Sequence, residues 1–126
     1  MDYNLFDIVF CKFPEEETFN GVQAKSRPCV IVQNNVGNEH SPTLIVMEIT
    51  KQIKKLGQPT HALIRKNKNN NLRYDSMIVG EQIHTVSKDN VVFKIGYVDN
   101  DEDKSSVVQC YLANLYGRKV RKVVFG

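Results

Sequence analysis

Apolar residues in this chain fall into short blocks separated by polar loops, and most of the blocks are too short to be helices. Asp7 to Phe13 is rich in β-branched and aromatic residues and predicts a strand that Pro14 ends. Glu15 to Ser26 is polar, with a central Asn20-Gly21, and predicts a long loop of the kind that often covers a site. The near-continuous apolar run from Pro28 to Gln33 predicts a buried strand, with Pro28 suited to its start. Asn34 to Pro42 carries turn residues and predicts a loop, and Thr43 to Thr50 predicts the next strand. Thr60 to Arg65 alternates in part. Lys66 to Asn71 predicts a polar hairpin tip from which Leu72 to Val79 returns. Gln82 to Val86 predicts a further short strand, Ser87 to Asn90 a helix start, and Lys94 to Val98 a strand.

Only Asp99 to Tyr116 carries a full helical pattern. Val107, Cys110, Tyr111 and Leu115 recur at helical spacing, Asp99, Asp101 and Asp103 offer caps, and Gly117 is a natural stop. Many short strands, long loops and one late helix predict a mainly β (α+β) domain. The expected form is a small, strongly curved antiparallel β-barrel with helices packed outside it. A length of 126 residues predicts one domain spanning the chain, 1–126, with one core.

Composition narrows the class. Hydrophobic content of 41% and charged content of 25% are those of a soluble globular protein. No run is long and apolar enough to cross a bilayer, and Met-Asp-Tyr-Asn does not read as a signal peptide, so a cytoplasmic protein without a membrane partner is expected. Cys11, Cys29 and Cys110 are odd in number, widely spaced and set among apolar residues, which predicts reduced core thiols. The net charge of +3 is mild but uneven. Glu15-Glu16-Glu17 makes the first segment acidic. Lys51, Lys54, Lys55, Arg65, Lys66, Lys68 and Arg73 follow without an intervening acid, and Arg118, Lys119, Arg121 and Lys122 add a basic tail. Any one of these lysines reads as a solvated loop residue; the cluster reads as a footprint for a phosphate backbone.

Candidate chemistry centres on Ser26 to Thr50. Pairing the two strands antiparallel brings Arg27, at the start of one, to the same sheet edge as Thr50, at the end of the other. The guanidinium fork matches phosphate oxygens. The plain alternative for Arg27 is a strand-end salt bridge to Glu81 or Glu48, and for Thr50 a backbone hydrogen bond. Glu48, mid-strand, and Glu81, after Gly80, read either as groove-lining residues or, more commonly for such positions, as outward-facing ones. His40, His61 and His84 fit no metal-ligand spacing, and no phosphate-binding glycine loop or nucleophile elbow is present, so no cofactor or metal is expected.

Several segments in order then carry a resemblance: Arg-Pro-Cys-Val-Ile-Val-Gln-Asn-Asn, Ser-Pro-Thr-Leu-Ile-Val-Met-Glu-Ile-Thr, Pro-Thr-His-Ala-Leu-Ile, Asp75-Ser76, and Glu81-Gln82-Ile83-His84-Thr85-Val86-Ser87-Lys88. Together, over roughly Asp7 to Val98, the chain resembles the MazF/PemK family of type II toxin–antitoxin toxins. The resemblance implies an SH3-like barrel, usually a homodimer, that cleaves single-stranded RNA sequence-selectively and without metal. It assigns the catalytic arginine to Arg27 and the catalytic threonine to Thr50, and matches Gln23, Glu81 and Gln82. With Ser76, Lys54 and Lys55, these make up the expected substrate-binding set. It further implies a cognate acidic antitoxin, with DNA reached only through that antitoxin. The chain departs from the family pattern at Phe6-Asp7, at Ala24-Lys25-Ser26 before the arginine, at Gly80, and after Val98. Two other classes stand beside this reading: a non-catalytic toxin of similar fold that inhibits DNA gyrase, and an inactive RNA-binding or antitoxin-sequestering module.

Overall fold

The computed structural model of the chain describes residues 2–13 and 25–120. Gln23, most of the expected Glu15–Ser26 loop, and Arg121 and Lys122 of the tail lie outside the described residues. Among the described residues, six strands form one antiparallel sheet: β1 (Asp7–Phe13), β2 (Lys25–Ile31), β3 (Thr43–Thr50), β4 (His61–Ile64), β5 (Ser76–Ser87) and β6 (Val91–Tyr97), in the order β4-β5-β3-β2-β1-β6. Two helices accompany it, α1 (Asn35–His40) and α2 (Asp101–Tyr116).

The sheet does not close into the expected barrel. β4 and β6 are its edges, with no ladder between them. Instead, the segment between β4 and β5 spans the gap. Tyr97 N–H donates to the Asn69 carbonyl at 3.0 Å, and the Asn71 amide donates to the Ile95 carbonyl at 3.1 Å. The approach is so close that a Cβ on Gly96 would stand 2.4 Å from the Asn69 carbonyl oxygen, so glycine is required there. The fold is thus a curved open sheet whose edges are tied by an asparagine-rich loop.

The central strands are buried on both faces, which explains their continuous apolar runs. On one face Ile8, Val30, Met47, Ile49 and Ile78 pack with Val107 and Cys110 of α2. On the other, Val9, Cys11, Phe13, Cys29, Ile31, Leu44 and Val46 form a second cluster. Burying these two layers is the main stabilising term, at about 25 cal/mol per Å² of apolar surface removed from water.

Four local expectations change. Asn34 to Pro42 contains a short helix: Asn34 caps α1 by accepting from Gly37 N–H at 2.8 Å, and buried Asn38 bonds to Gln33. The two segments Leu72–Val79 and Gln82–Val86 are one twelve-residue strand, β5, which begins only at Ser76. Ser87 to Asn90 makes one 3-10 turn, not a longer helix. α2 runs from Asp101 to Tyr116 and ends at Gly117, but its cap is Asn100, whose side chain accepts from Asp103 N–H at 2.8 Å. The acids of its first turn still meet the positive end of the helix dipole.

Candidate active site

β2 and β3 pair in the register Cys29↔Glu48, Val30↔Met47, Ile31↔Val46. Continued two residues, that register sets Arg27 across from Thr50, and the even spacing keeps Arg27, Cys29, Glu48 and Thr50 on one face. The ladder itself ends at Cys29↔Glu48, so Arg27 and Thr50 lie two residues beyond its last pair. Both line a cleft of about 720 Å³.

Arg27 is ion-paired. Its Nη1 lies 3.1 Å from Glu48 Oε1, and its guanidinium lies over the Phe13 ring, 5.8 Å from the centroid. Of the two salt-bridge partners considered from sequence, the structure selects Glu48. The arginine side chain retains 28% of its exposure, and that of Glu48 only 10%. Glu48 is not an outward-facing residue: it is buried, and its second oxygen takes His84 Nε2 at 2.5 Å. The His84 ring in turn packs on Phe13, with centroids 4.6 Å apart. A buried carboxylate is stable only when its charge is compensated, and here two donors from neighbouring strands do that. Thr50 Oγ1 accepts from Gln52 N–H at 3.1 Å, which turns the chain out of β3 beside the cleft.

The cleft is lined by cations and aromatics. Lys51, Arg73 and Lys94 join Arg27, and among the described lining residues Glu48 is the sole carboxylate. Lys94 pairs with Asp7 at 2.9 Å, and Lys51 lies over the Tyr74 ring at 5.2 Å. Phe10 and Phe93 stack at 5.2 Å within the lining, and both Phe93 and Tyr74 are substantially exposed. A positive groove with accessible ring faces has the makings of a single-strand nucleic-acid surface.

The remaining sequence candidates separate. Ser76 lines the cleft but is buried, its hydroxyl donating to the Tyr74 carbonyl at 2.7 Å. Lys54, Lys55, Glu81 and Gln82 are not among the cleft-lining residues. The ladder breaks between Met47↔Ile83 and Glu48↔Val79, so Gly80-Glu81-Gln82 bulges out of β5. The bulge directs Glu81 to His61 at 2.9 Å and Thr60 at 3.0 Å. The other nitrogen of His61 bonds the carbonyls of Lys54 and Lys55, which fixes the segment following Thr50. Partial burial pushes the Glu81 carboxyl up. Hydrogen bonds from its own backbone, His61 and Thr60, with the charge on His61, outweigh that and hold it below the usual range. Gly80 is needed because a Cβ there would stand 2.6 Å from the Cys110 carbonyl oxygen. Arg65 and Lys66 of the basic run face a separate hollow with Asn100, Glu102 and Asp103.

All three cysteines are free and buried, as expected. The hydrogen bond to Cys11, then burial, push the Cys29 thiol well up, and burial drives Cys110 up to about 11. These thiols belong to the core, not to the cleft. Among the described residues, no three His, Cys, Asp or Glu side chains converge as a metal site. His84, Tyr74, Phe93 and Lys94 were not singled out from sequence as site residues, Arg73 entered only within the basic cluster, and Glu48 only as an Arg27 partner or a groove-lining alternative. A glutamate inside the run Leu-Ile-Val-Met-Glu-Ile-Thr was the available clue, since such a strand rarely buries an acid without a purpose.

Residues 4–110 match the family described as PemK-like, MazF-like toxin of type II toxin-antitoxin system. The match runs past Val98 into α2, further than the sequence segments indicated. A curated relative, Endoribonuclease MazF of Staphylococcus saprophyticus, is 44% identical over 82 residues, covering 65% of this chain and 68% of that protein. A solved mycobacterial endoribonuclease in complex with its cognate antitoxin shares the fold with a TM-score of 0.68 at 18% identity, covering 91% of this chain and 95% of that one. MazF of Deinococcus radiodurans superposes with a TM-score of 0.70 at 13% identity, covering 93% of this chain and 98% of that one.

Proposed function

The chain belongs to the PemK-like, MazF-like toxin family of type II toxin–antitoxin systems and is an endoribonuclease, and from that premise we propose that Arg27 and Thr50 are its catalytic pair. The reaction is metal-independent transesterification of single-stranded RNA. The 2′-oxygen attacks the adjacent phosphorus, the bond to the 5′-oxygen breaks, and the products carry a 2′,3′-cyclic phosphate and a 5′-OH. The nucleophile is already tethered beside its target, so positioning supplies much of the rate. Arg27 stabilises the charge that builds on the phosphorane oxygens; its very high pKa suits it to that role better than to proton transfer. Thr50 holds a phosphate oxygen or orients the attacking hydroxyl.

The observation that carries this reading is the shared β2–β3 ladder. Arg27 and Thr50 lie just beyond its Cys29↔Glu48 end, and both line a cleft whose other charged residues are mostly cations. Lys51, Arg73 and Lys94 follow the backbone near the scissile phosphate, and Lys54 and Lys55 extend the track beyond it. Phe93 and Tyr74 stack bases, and Gln23, Ser76, Glu81 and Gln82 shape the sequence-selective groove. The mycobacterial structure of an endoribonuclease in complex with its cognate antitoxin supports a cognate antitoxin here. Its acidic segment would cover the same basic cleft and exclude RNA. A homodimer, a single domain over 1–126 and a cytoplasmic location complete the proposal. Among the described residues, no helix is long and apolar enough to cross a membrane. Arg27→Ala, incubated with a long single-stranded RNA in EDTA, should lose at least about a hundredfold in rate while keeping the wild-type fold. Cleavage at the wild-type rate would remove Arg27 from the mechanism.

A further inference from the structure

The reaction above leaves one proton unassigned. The ribose 2′-OH must lose it as the new P–O bond forms. Arg27 cannot accept it, because a guanidinium is already fully protonated. A threonine hydroxyl is not a base at neutral pH. Among the described residues lining the cleft, one carboxylate stands where a base is needed: Glu48.

The geometry is specific. Glu48 Oε1 lies 3.1 Å from Arg27 Nη1. A phosphate docked on that guanidinium therefore sits beside the carboxylate. The 2′-oxygen sits on the ribose carbon next to the one that bears the 3′-ester oxygen, so docking that phosphate on Arg27 brings the 2′-OH to the side of the guanidinium where Glu48 stands, and a general base must be within hydrogen-bond reach of the proton it takes. Glu48 has the capacity to accept. Each carboxylate oxygen has two lone pairs, and Arg27 and His84 use one on each. His84 reaches Glu48 but does not line the cleft. Phe13 packs on the His84 ring and lies beneath the Arg27 guanidinium, so it supports both partners of the carboxylate. The chargeable groups around the carboxylate are Arg27 and Cys29 from β2 and His84 from β5, with Lys51 beyond the end of its own strand.

We propose that Glu48 is the general base of RNA cleavage and that His84 is a positioning residue holding it in place. The inference rests on the transesterification reading above. As Glu48 takes the 2′-OH proton, the oxygen electron pair forms the bond to phosphorus. The P–O5′ bond breaks, and the departing oxygen takes a proton from water. Glu48 then releases its proton to solvent and is restored as a carboxylate. Arg27, drawn partly from Glu48 to the phosphate in the transition state, balances the charge on the phosphorane.

Glu48→Gln keeps the shape and tests the base. With a single-site RNA oligonucleotide, kcat should fall about 10²- to 10⁴-fold. Affinity for the same oligonucleotide with a 2′-deoxyribose at the scissile position should be unchanged or tighter, since a negative charge beside the phosphate is gone. The wild-type rate should rise with pH along an acid limb that is absent in Glu48→Gln. His84→Gln should shift that limb and lower kcat less, leaving RNA affinity intact. If Glu48→Gln unfolds, Glu48→Asp carries the test: it keeps the carboxylate but retracts it, so a large loss of kcat at unchanged affinity supports the base. Were the only role of Glu48 to neutralise Arg27, Glu48→Gln would cleave as fast as wild type or faster with the same pH profile, and the proposal would fall. A wild type that cleaves no RNA, or an Arg27→Ala variant as active as wild type, would instead defeat the underlying reading.

Discussion

Replacing Asn70 with alanine should loosen the cleft from its far wall. Asn70 is 1% exposed, within a run of asparagines that looks like solvated turn. Its Oδ1 accepts from the backbone N–H groups of Asn67 and Leu72, each at 3.0 Å, and its Nδ2 donates to the Arg65 carbonyl at 2.8 Å. This one side chain shapes the segment that carries Leu72, Arg73 and Tyr74 into the cleft. Alanine would leave those three backbone groups without their partner. At about 1 kcal/mol net for each lost bond, the cost is about 3 kcal/mol, and more where water cannot reach the orphaned groups. For a domain of this size that corresponds to a fall in Tm of roughly 10 °C. The remaining ties to β6 and to Asp99, which accepts from Asn69 at 2.6 Å, should keep the segment near its place. KM for RNA should therefore rise more than kcat falls. Thermal unfolding, amide exchange over 67–72 and steady-state cleavage check this. A Tm within about 1 °C of wild type with unchanged exchange would refute the bridging role of Asn70.

Two further outcomes follow from the same geometry. The Glu81 carboxyl is held below its ordinary value of 4.5, so its contribution to stability is fully present above that value and is lost as pH falls below it. Glu81→Gln should be less stable than wild type near neutrality, with the gap closing as denaturation is followed down through the acid range; a gap independent of pH would contradict the linkage. The chain has no tryptophan, so Phe93→Trp places a single reporter in the cleft. Uncleavable RNA should quench its fluorescence, and Phe93→Ala should lose about 1–3 kcal/mol of RNA binding; an unresponsive reporter would place the bases elsewhere.

The strands that carry the site were legible because burial on both faces leaves near-continuous apolar runs. Thr43–Thr50 and Asp7–Phe13 stand where the sequence put them. α2 was legible because sixteen residues give helical periodicity room to repeat. α1 was not: its six residues include Gly37 and two asparagines, and its stability comes from the Asn34 cap and buried Asn38, not from a periodic face. β5 read as two strands because Gly80 looks like a breaker, whereas close packing on α2 demands glycine inside a bulged strand. The mainly β (α+β) class holds, and the sheet stays open only at its seam, where the Asn69 carbonyl and the Asn71 side-chain amide of an asparagine run tie it to β6 in place of a strand ladder. Arg27 and Thr50 could be brought together on paper because antiparallel register is nearly arithmetic. Glu48 could not be placed as a site residue, because its partners come from two other strands, and His84 is 36 residues away.

The central claim is that an arginine-centred cleft cleaves RNA through its own 2′-OH without metal. The most direct measurement is mass analysis of the fragment ends produced by purified protein from a single-site oligonucleotide in EDTA, beside the same oligonucleotide with one 2′-deoxyribose at the scissile position. The account predicts a 2′,3′-cyclic phosphate and a 5′-OH from the first and no cleavage of the second. A 5′-phosphate product, cleavage of the 2′-deoxy substrate, or activity that vanishes in EDTA would contradict it.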